Sequence, residues 1–312
     1  MDATATPPVE IDPIAGAGTS RTSALLKVLS VTGRLLGFLV LVFVALILLM
    51  LPLWLVFGRA ESLDSHRAMA LFALAECVTF LGAAWVMARF ADDRPFSSLG
   101  FDVSRLATDG LTGLRLGAAG LALALGGAAL LGAVSLKPAG EPGASAIAWV
   151  AALVLLKAAS EEFLVHGYIF QVLERVHPGL ALTVTSTLFT LLHSPQYRGD
   201  WLAAANLFLA GTWLGLMYRR SRNLWMPVAC HFTWNFLLGP LLGLTVSGTN
   251  KLNLEWTLVR LEGPAWLVGD QFGLEGGAAT TLALTALVAA LLARRPEART
   301  SAEPLASRVQ DV

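Results

Sequence analysis

Polar positions along this chain fall mainly between eight long apolar blocks, at about 29–57, 67–90, 111–136, 146–173, 179–193, 202–218, 224–244 and 278–292. The apolar runs are continuous, so they predict helices and not the alternating strands of a membrane barrel. A hydrocarbon layer about 30 Å thick needs roughly 17–25 residues of helix. The fifth and eighth blocks, at about 15 residues, fall short of that. Each needs a polar turn to extend it or a place inside the bundle. Residues 1–28 are rich in Ala, Thr, Pro and Ser without an apolar core, and 295–312 are similar. Both stretches predict disordered tails, and 1–28 lack the apolar h-region and cleavage site of a signal peptide. The expected fold is all-α: a polytopic transmembrane helical bundle of about eight spans over 29–294.

Charge sets the orientation. With the N-terminus inside, Arg21, Lys27, Arg34, Arg89, Arg94, Arg175, Arg219, Arg220, Arg222, Arg294 and Arg295 collect on the inner side. Fewer basic residues, such as Arg59, Arg198 and Arg260, fall outside. This positive-inside bias predicts that both termini are cytoplasmic. The inner segment 91–115 mixes charged and aromatic residues and reads as interfacial. The segment 245–275, with Trp256, Trp266 and Phe272, reads as an outer interfacial cap. No two halves share matched broken helices, which argues against a transporter built from repeats.

Composition then narrows the class. At 55% hydrophobic and 14% charged, with a mean hydropathy of +0.66, the chain is too apolar for a soluble domain of this length. A formal net charge of zero supplies no attraction to nucleic acid, so no nucleic-acid partner is expected. Cys77 and Cys230 both lie in blocks and read as packing residues.

Three polar motifs interrupt the later blocks: Glu161-Glu162 followed by His166, Phe189 followed by His193, and His231 followed by Asn235. An ionisable group at membrane depth costs roughly 2.5–3.5 kcal/mol on insertion scales, so such groups mark function by default. Glu162 and His166 are one helical turn apart, while Glu161 points about 100° away from Glu162. The two carboxylates therefore address different partners. Glutamate, histidine and asparagine together suit hydrolysis, as a base for water and as donors to an oxyanion.

Each feature also has a plainer explanation. Lys157 lies one turn before Glu161 and could form an intrahelical ion pair with it. His193 could cap a helix, and His231 with Asn235 could bond across helices. His66 and His177 read as boundary and turn residues. The chain has neither the His-Glu-x-x-His motif of zincins nor the Gly-x-Ser-x-Gly elbow of serine hydrolases.

In order and in residue type, these motifs resemble those of the CAAX-protease and bacteriocin-processing intramembrane proteases, which include type II CAAX prenyl endopeptidases. The resemblance runs through 146–244 and includes the hairpin from Gly211 to His231. It implies an endopeptidase acting on a membrane-embedded or lipidated protein. Glu161 would activate water with His193 as partner, and His231 and Asn235 would stabilise the oxyanion. Glu162 and His166 would support them, His166 standing where the family has arginine. The family is often described as metalloproteases. Glu161, His193 and His231 could together complete a three-ligand zinc site, whereas Asn is a poor zinc ligand; metal-free glutamate chemistry is equally open. Water would reach Glu161 through a cavity between the fourth to seventh spans, with the first three shielding it. His231 lies toward the inner leaflet and His193 toward the outer end of its helix. They can meet only if the short fifth span is sunk, tilted or followed by a re-entrant turn, which Ser194-Pro195 and Gly199 permit. Competing readings are a non-catalytic scaffold or immunity-type binding protein of the same fold, and a proton-coupled transporter.

Overall fold

A computed structural model of the protein describes residues 13–57, 65–137, 140, 143–254 and 258–293. Each apolar block is largely helical. In chain order the helices are α1 (Pro13–Phe57), α2 (Ser65–Val86), α3 (Leu106–Leu130), α4 (Ala144–Glu162), α5 (Phe170–Glu174), α6 (Pro178–Leu192), α7 (Ser194–Tyr197), α8 (Trp201–Ser221), α9 (Trp225–Phe236), α10 (Ala265–Val268) and α11 (Ala278–Ala293). Wide π-helical turns extend α2 (Met87–Ala91), join α4 to α5 (Phe163–Ile169) and extend α9 (Leu237–Leu241). The protein is an all-α membrane bundle. Among the described residues, four helical stretches are long and apolar enough to cross a bilayer on their own: Leu25–Val56, His66–Ala91, Val103–Leu130 and Trp201–Ser221. Pro178–Leu192 and Ala278–Ala293 are apolar but shorter.

The structure departs from the sequence reading at several ends. Helix α1 begins at Pro13, inside the stretch expected as a tail, because no proline interrupts the chain between there and Pro52. Residues 1–12, 294–312 and Trp256 lie outside the described residues. The third block does not stay helical to 136. It ends at Leu130, Gly132 takes a positive φ of 72°, and β1 (Val134–Leu136) pairs antiparallel with β2 (Val259–Leu261). The segment 91–115 also packs into the bundle: Leu99 is buried, and the Phe101 ring packs against Phe96, Phe163 and Trp225.

Two apolar clusters build the interior. One gathers α1, α2, α4, the turn after it and α5. The other gathers α3, α8, α9, α11 and the segment leading into α11. Leu164 and Leu188 pack against both. Helix α1 leaves Leu36, Leu39, Val40, Phe43 and Leu48 exposed, as a lipid-facing helix must. Helices α3 and α9 approach closely because α3 presents glycine there. A Cβ on Gly113 would lie 2.2 Å from the Met226 carbonyl oxygen, and one on Gly117 would lie 2.5 Å from that of Cys230. In lipid, such small-residue contacts replace the hydrophobic drive between helices.

At one end of the bundle, Asp92 ties three segments together. Arg34 Nε donates to Oδ1 at 2.6 Å, Arg175 grips both oxygens at 3.0 and 2.9 Å, and the Tyr168 hydroxyl donates at 3.1 Å. Arg94 lies 3.4 Å away. Burial alone would raise this carboxyl, but the bonds and charges of Arg175 and Arg34, with Tyr168, outweigh it and hold Asp92 down at about 2.

Candidate active site

The two glutamates close α4, and the chain then enters the wide turn Phe163–Ile169, where Gly167 leaves helical geometry (φ −75°, ψ −113°). Turns of this kind recur at functional sites because they re-aim side chains. Here the turn seats His166, fully buried, with Nδ1 2.7 Å from Glu162 Oε2. Its Nε2 has no hydrogen-bond partner among the described residues. Gly215 on α8 leaves it room, since a Cβ there would come within 3.3 Å of that nitrogen.

Helix α6 ends at Leu192, and His193 caps it. Its Nδ1–H donates to the Phe189 carbonyl at 2.8 Å. The one-turn helix α7 follows, and positive φ values at Arg198 and Gly199 then turn the chain into α8. Asp200 caps α8 by accepting from the backbone N–H of Leu202 and Ala203. The short helix is thus followed by a tight return, and His193 reaches the depth of the other motifs.

On α9, His231 donates from Nδ1 to Glu162 Oε1 at 2.9 Å. The buried Glu162 carboxylate therefore accepts one bond from each of two imidazoles. Both site histidines, His193 and His231, are held through Nδ1, and both turn Nε2 toward one atom. Glu161 Oε2 lies 3.7 Å from His193 Nε2 and 3.8 Å from His231 Nε2. The other oxygen, Oε1, faces Lys157 Nζ at 3.4 Å. The adjacent carboxylates do address different partners, as their helical spacing requires.

Asn235 stands one turn beyond His231, and both line a pocket with about 510 Å³ of empty space, its open side included. Phe189, Asn206, Trp213, Trp234, Ser247 and Glu275 share the lining. The pocket lies among the fifth, sixth and seventh spans (α6, α8 and α9), as expected, but α11 and the segment after α9 close it where the fourth span was expected. Glu161 and His193 are not among its lining residues. Nor is α3 a mere shield, because its glycine face is what α9 rests on.

Two acids near the site escaped the sequence reading. Glu275 accepts from Trp234 Nε1 at 2.9 Å and from the Ser247 backbone N–H, pinning the segment after α9 over the pocket. Nothing in its Gly- and Leu-rich surroundings announces this. Glu76 on α2 pairs with Lys157 at 2.9 Å. It sits in mid-block, so the rule that singled out Glu161 applies equally to it. Elsewhere, His66 meets the Lys251 carbonyl and His177 caps α6, while Cys77 and Cys230 are free and buried.

The separations test the zinc reading. With bonds of about 2.0–2.1 Å, ligand atoms in a tetrahedral zinc shell lie about 3.3 Å apart. The glutamate–histidine pairs are wider than that. Among the described residues no group of three His, Cys, Asp or Glu side chains is gathered to hold a metal ion. As placed, these side chains stand wider than a three-ligand zinc site with an open position requires.

Residues 143–237 match the family described as type II CAAX prenyl endopeptidase Rce1-like, and that stretch holds all three motifs. No curated protein and no solved structure matches the chain. The family is one of CAAX-type intramembrane endopeptidases that act on membrane-associated proteins.

Proposed function

We propose, from the premise that residues 143–237 form an Rce1-like CAAX-type endopeptidase domain, that this protein cleaves a prenylated-type C-terminal peptide in the plasma membrane. The observation that carries the reading is the convergence of His193 Nε2 and His231 Nε2 on Glu161 Oε2, beside a pocket that His231 and Asn235 line. Glu161 Oε2 takes a proton from water as the water oxygen attacks the scissile carbonyl carbon. The oxyanion forms against Asn235 Nδ2 and a protonated His231 Nε2 as donors. Glu162 steadies the charged imidazole through Nδ1. Collapse breaks the C–N bond, and the proton held by Glu161, with His193 beside it, passes to the leaving amine. The products are a new carboxylate and a free amine.

The rival reading, a binding protein without catalysis, draws on His166 in the family's arginine position. One assay separates the two: cleavage of an S-prenylated CAAX peptide by the full-length protein in liposomes, with the unprenylated peptide and a chelator as further arms. We expect cleavage that falls by about 10²–10⁴ in Glu161→Gln, the usual cost of losing a general base. Wild-type turnover in that variant would remove Glu161 from the role, and silence of the wild type on every such peptide would favour the binding protein.

A further inference from the structure

Lys157 is an odd residue to find at membrane depth. A lysine there is costly, and its pairing with Glu161 runs in the weaker helical order, lysine before glutamate. Helix stabilisation therefore does not account for it. Its nitrogen sits between two carboxylates: Glu76 Oε2 at 2.9 Å, reaching across from α2, and Glu161 Oε1 at 3.4 Å. Ser160 Oγ donates to the same Glu76 oxygen at 3.0 Å, and Cys77 Sγ meets the Leu156 carbonyl at 3.5 Å. Helices α2 and α4 are thus joined around the ammonium group.

The two oxygens of Glu161 are divided by this arrangement. Oε1 belongs to Lys157, and Oε2 is left for the imidazoles. A carboxylate held at only one end could rotate about its terminal bond, a broad torsion with little preference of its own. We propose that Lys157, braced by Glu76, is a positioning residue that clamps Glu161 Oε1 so that Oε2 faces the water-activating site. This rests on the reading of Glu161 as the base. It makes α2, which lies outside the matched residues 143–237, a working part of the site.

The test uses the full-length protein in liposomes with the S-prenylated CAAX peptide. Lys157→Met should lower kcat by about tenfold to a hundredfold with KM unchanged, the scale of a misplaced group. Glu76→Gln, which keeps the shape, should lower kcat by less, and Lys157→Arg should restore most of it. A role in folding alone would instead reduce the amount of folded enzyme and leave the kcat of the folded fraction intact. A second readout needs no turnover: labelling of Glu161 by a hydrophobic carbodiimide, followed by mass spectrometry. Labelling should speed up in Lys157→Met, where Oε1 is uncovered, and not in Lys157→Arg. Wild-type kcat and unchanged labelling in Lys157→Met, with Glu161→Gln inactive, would overturn the clamp and spare the base. Activity retained in Glu161→Gln would overturn both.

Discussion

Replacing Gly113 by alanine adds one methyl group at the point where α3 meets the helix that carries His231. That Cβ would sit 2.2 Å from the Met226 carbonyl oxygen, 2.9 Å from Ala229 Cβ and 3.0 Å from the Cys230 backbone nitrogen. Two of these neighbours are backbone atoms and cannot rotate away. Restoring a 3.0 Å contact, below which real Cβ atoms essentially never come, requires α3 and α9 to part by about 0.8 Å. Overpacking of this kind costs about 1–3 kcal/mol. Better helix propensity returns up to about 1 kcal/mol of that. The control is Gly126→Ala on the same helix, where a Cβ meets nothing within 4 Å and only the propensity gain applies. Thermal unfolding in one detergent should therefore place Gly113→Ala below wild type and Gly126→Ala at or above it. The same shift would stretch the 2.9 Å bond from His231 to Glu162. A misplacement of about 1 Å can cost a hundredfold in rate, so kcat should fall in Gly113→Ala and hold in Gly126→Ala. Equal melting temperatures and equal rates for the two variants would refute the claim that the α3–α9 contact sets the depth of His231.

Two further outcomes follow from buried polar groups. The Asp92 carboxyl is depressed to about 2, so its stabilisation is complete above the ordinary carboxylate range. It is lost as the pH falls from about 4 through about 2 and amounts to about 2 kcal/mol. Unfolding followed across that window should show the slope in wild type and lack it in Asp92→Asn, and equal slopes would exclude the Asp92 cluster as its source. Asn206 donates to the carbonyls of Glu275 and Gly277 at 2.7 and 3.0 Å and accepts from Thr281 at 2.8 Å. Asn206→Leu should cost about 1–3 kcal/mol in thermal unfolding by leaving those groups unpaired, and an unchanged melting temperature would contradict it.

The bundle and its three motifs were legible because a bilayer makes polar groups expensive, which leaves Glu161, Glu162, His193 and His231 conspicuous against their blocks. Helical period alone separated the directions of Glu161 and Glu162. What escaped depends on contacts between distant segments. Gly113 and Gly117 form a visible small-residue spacing, yet only the partner helix reveals its use. The end of α3 at Leu130 depends on a strand pairing with residues more than a hundred positions later. Glu275 gains its place from Trp234 and Ser247, neither of which marks it in advance. The pocket moved toward α11 for the same reason: the segment that roofs it has no periodic pattern to read.

That roof is held by bonds among several segments. Strand β2 is stitched to β1, Ser135 bonds Glu262 at 2.7 Å, the Val259 N–H bonds the Leu242 carbonyl, and Glu275 holds Ser247 and Trp234. Of these, the bonds of Glu275 to Trp234 and Ser247 lie at the pocket itself, so a peptide pushing in between those segments would have to break them. Passage from the opposite end, or sideways out of the lipid between helices, disturbs none of them. The bundle is thereby given two unlike ends, one of them knitted together by bonds between segments distant in sequence.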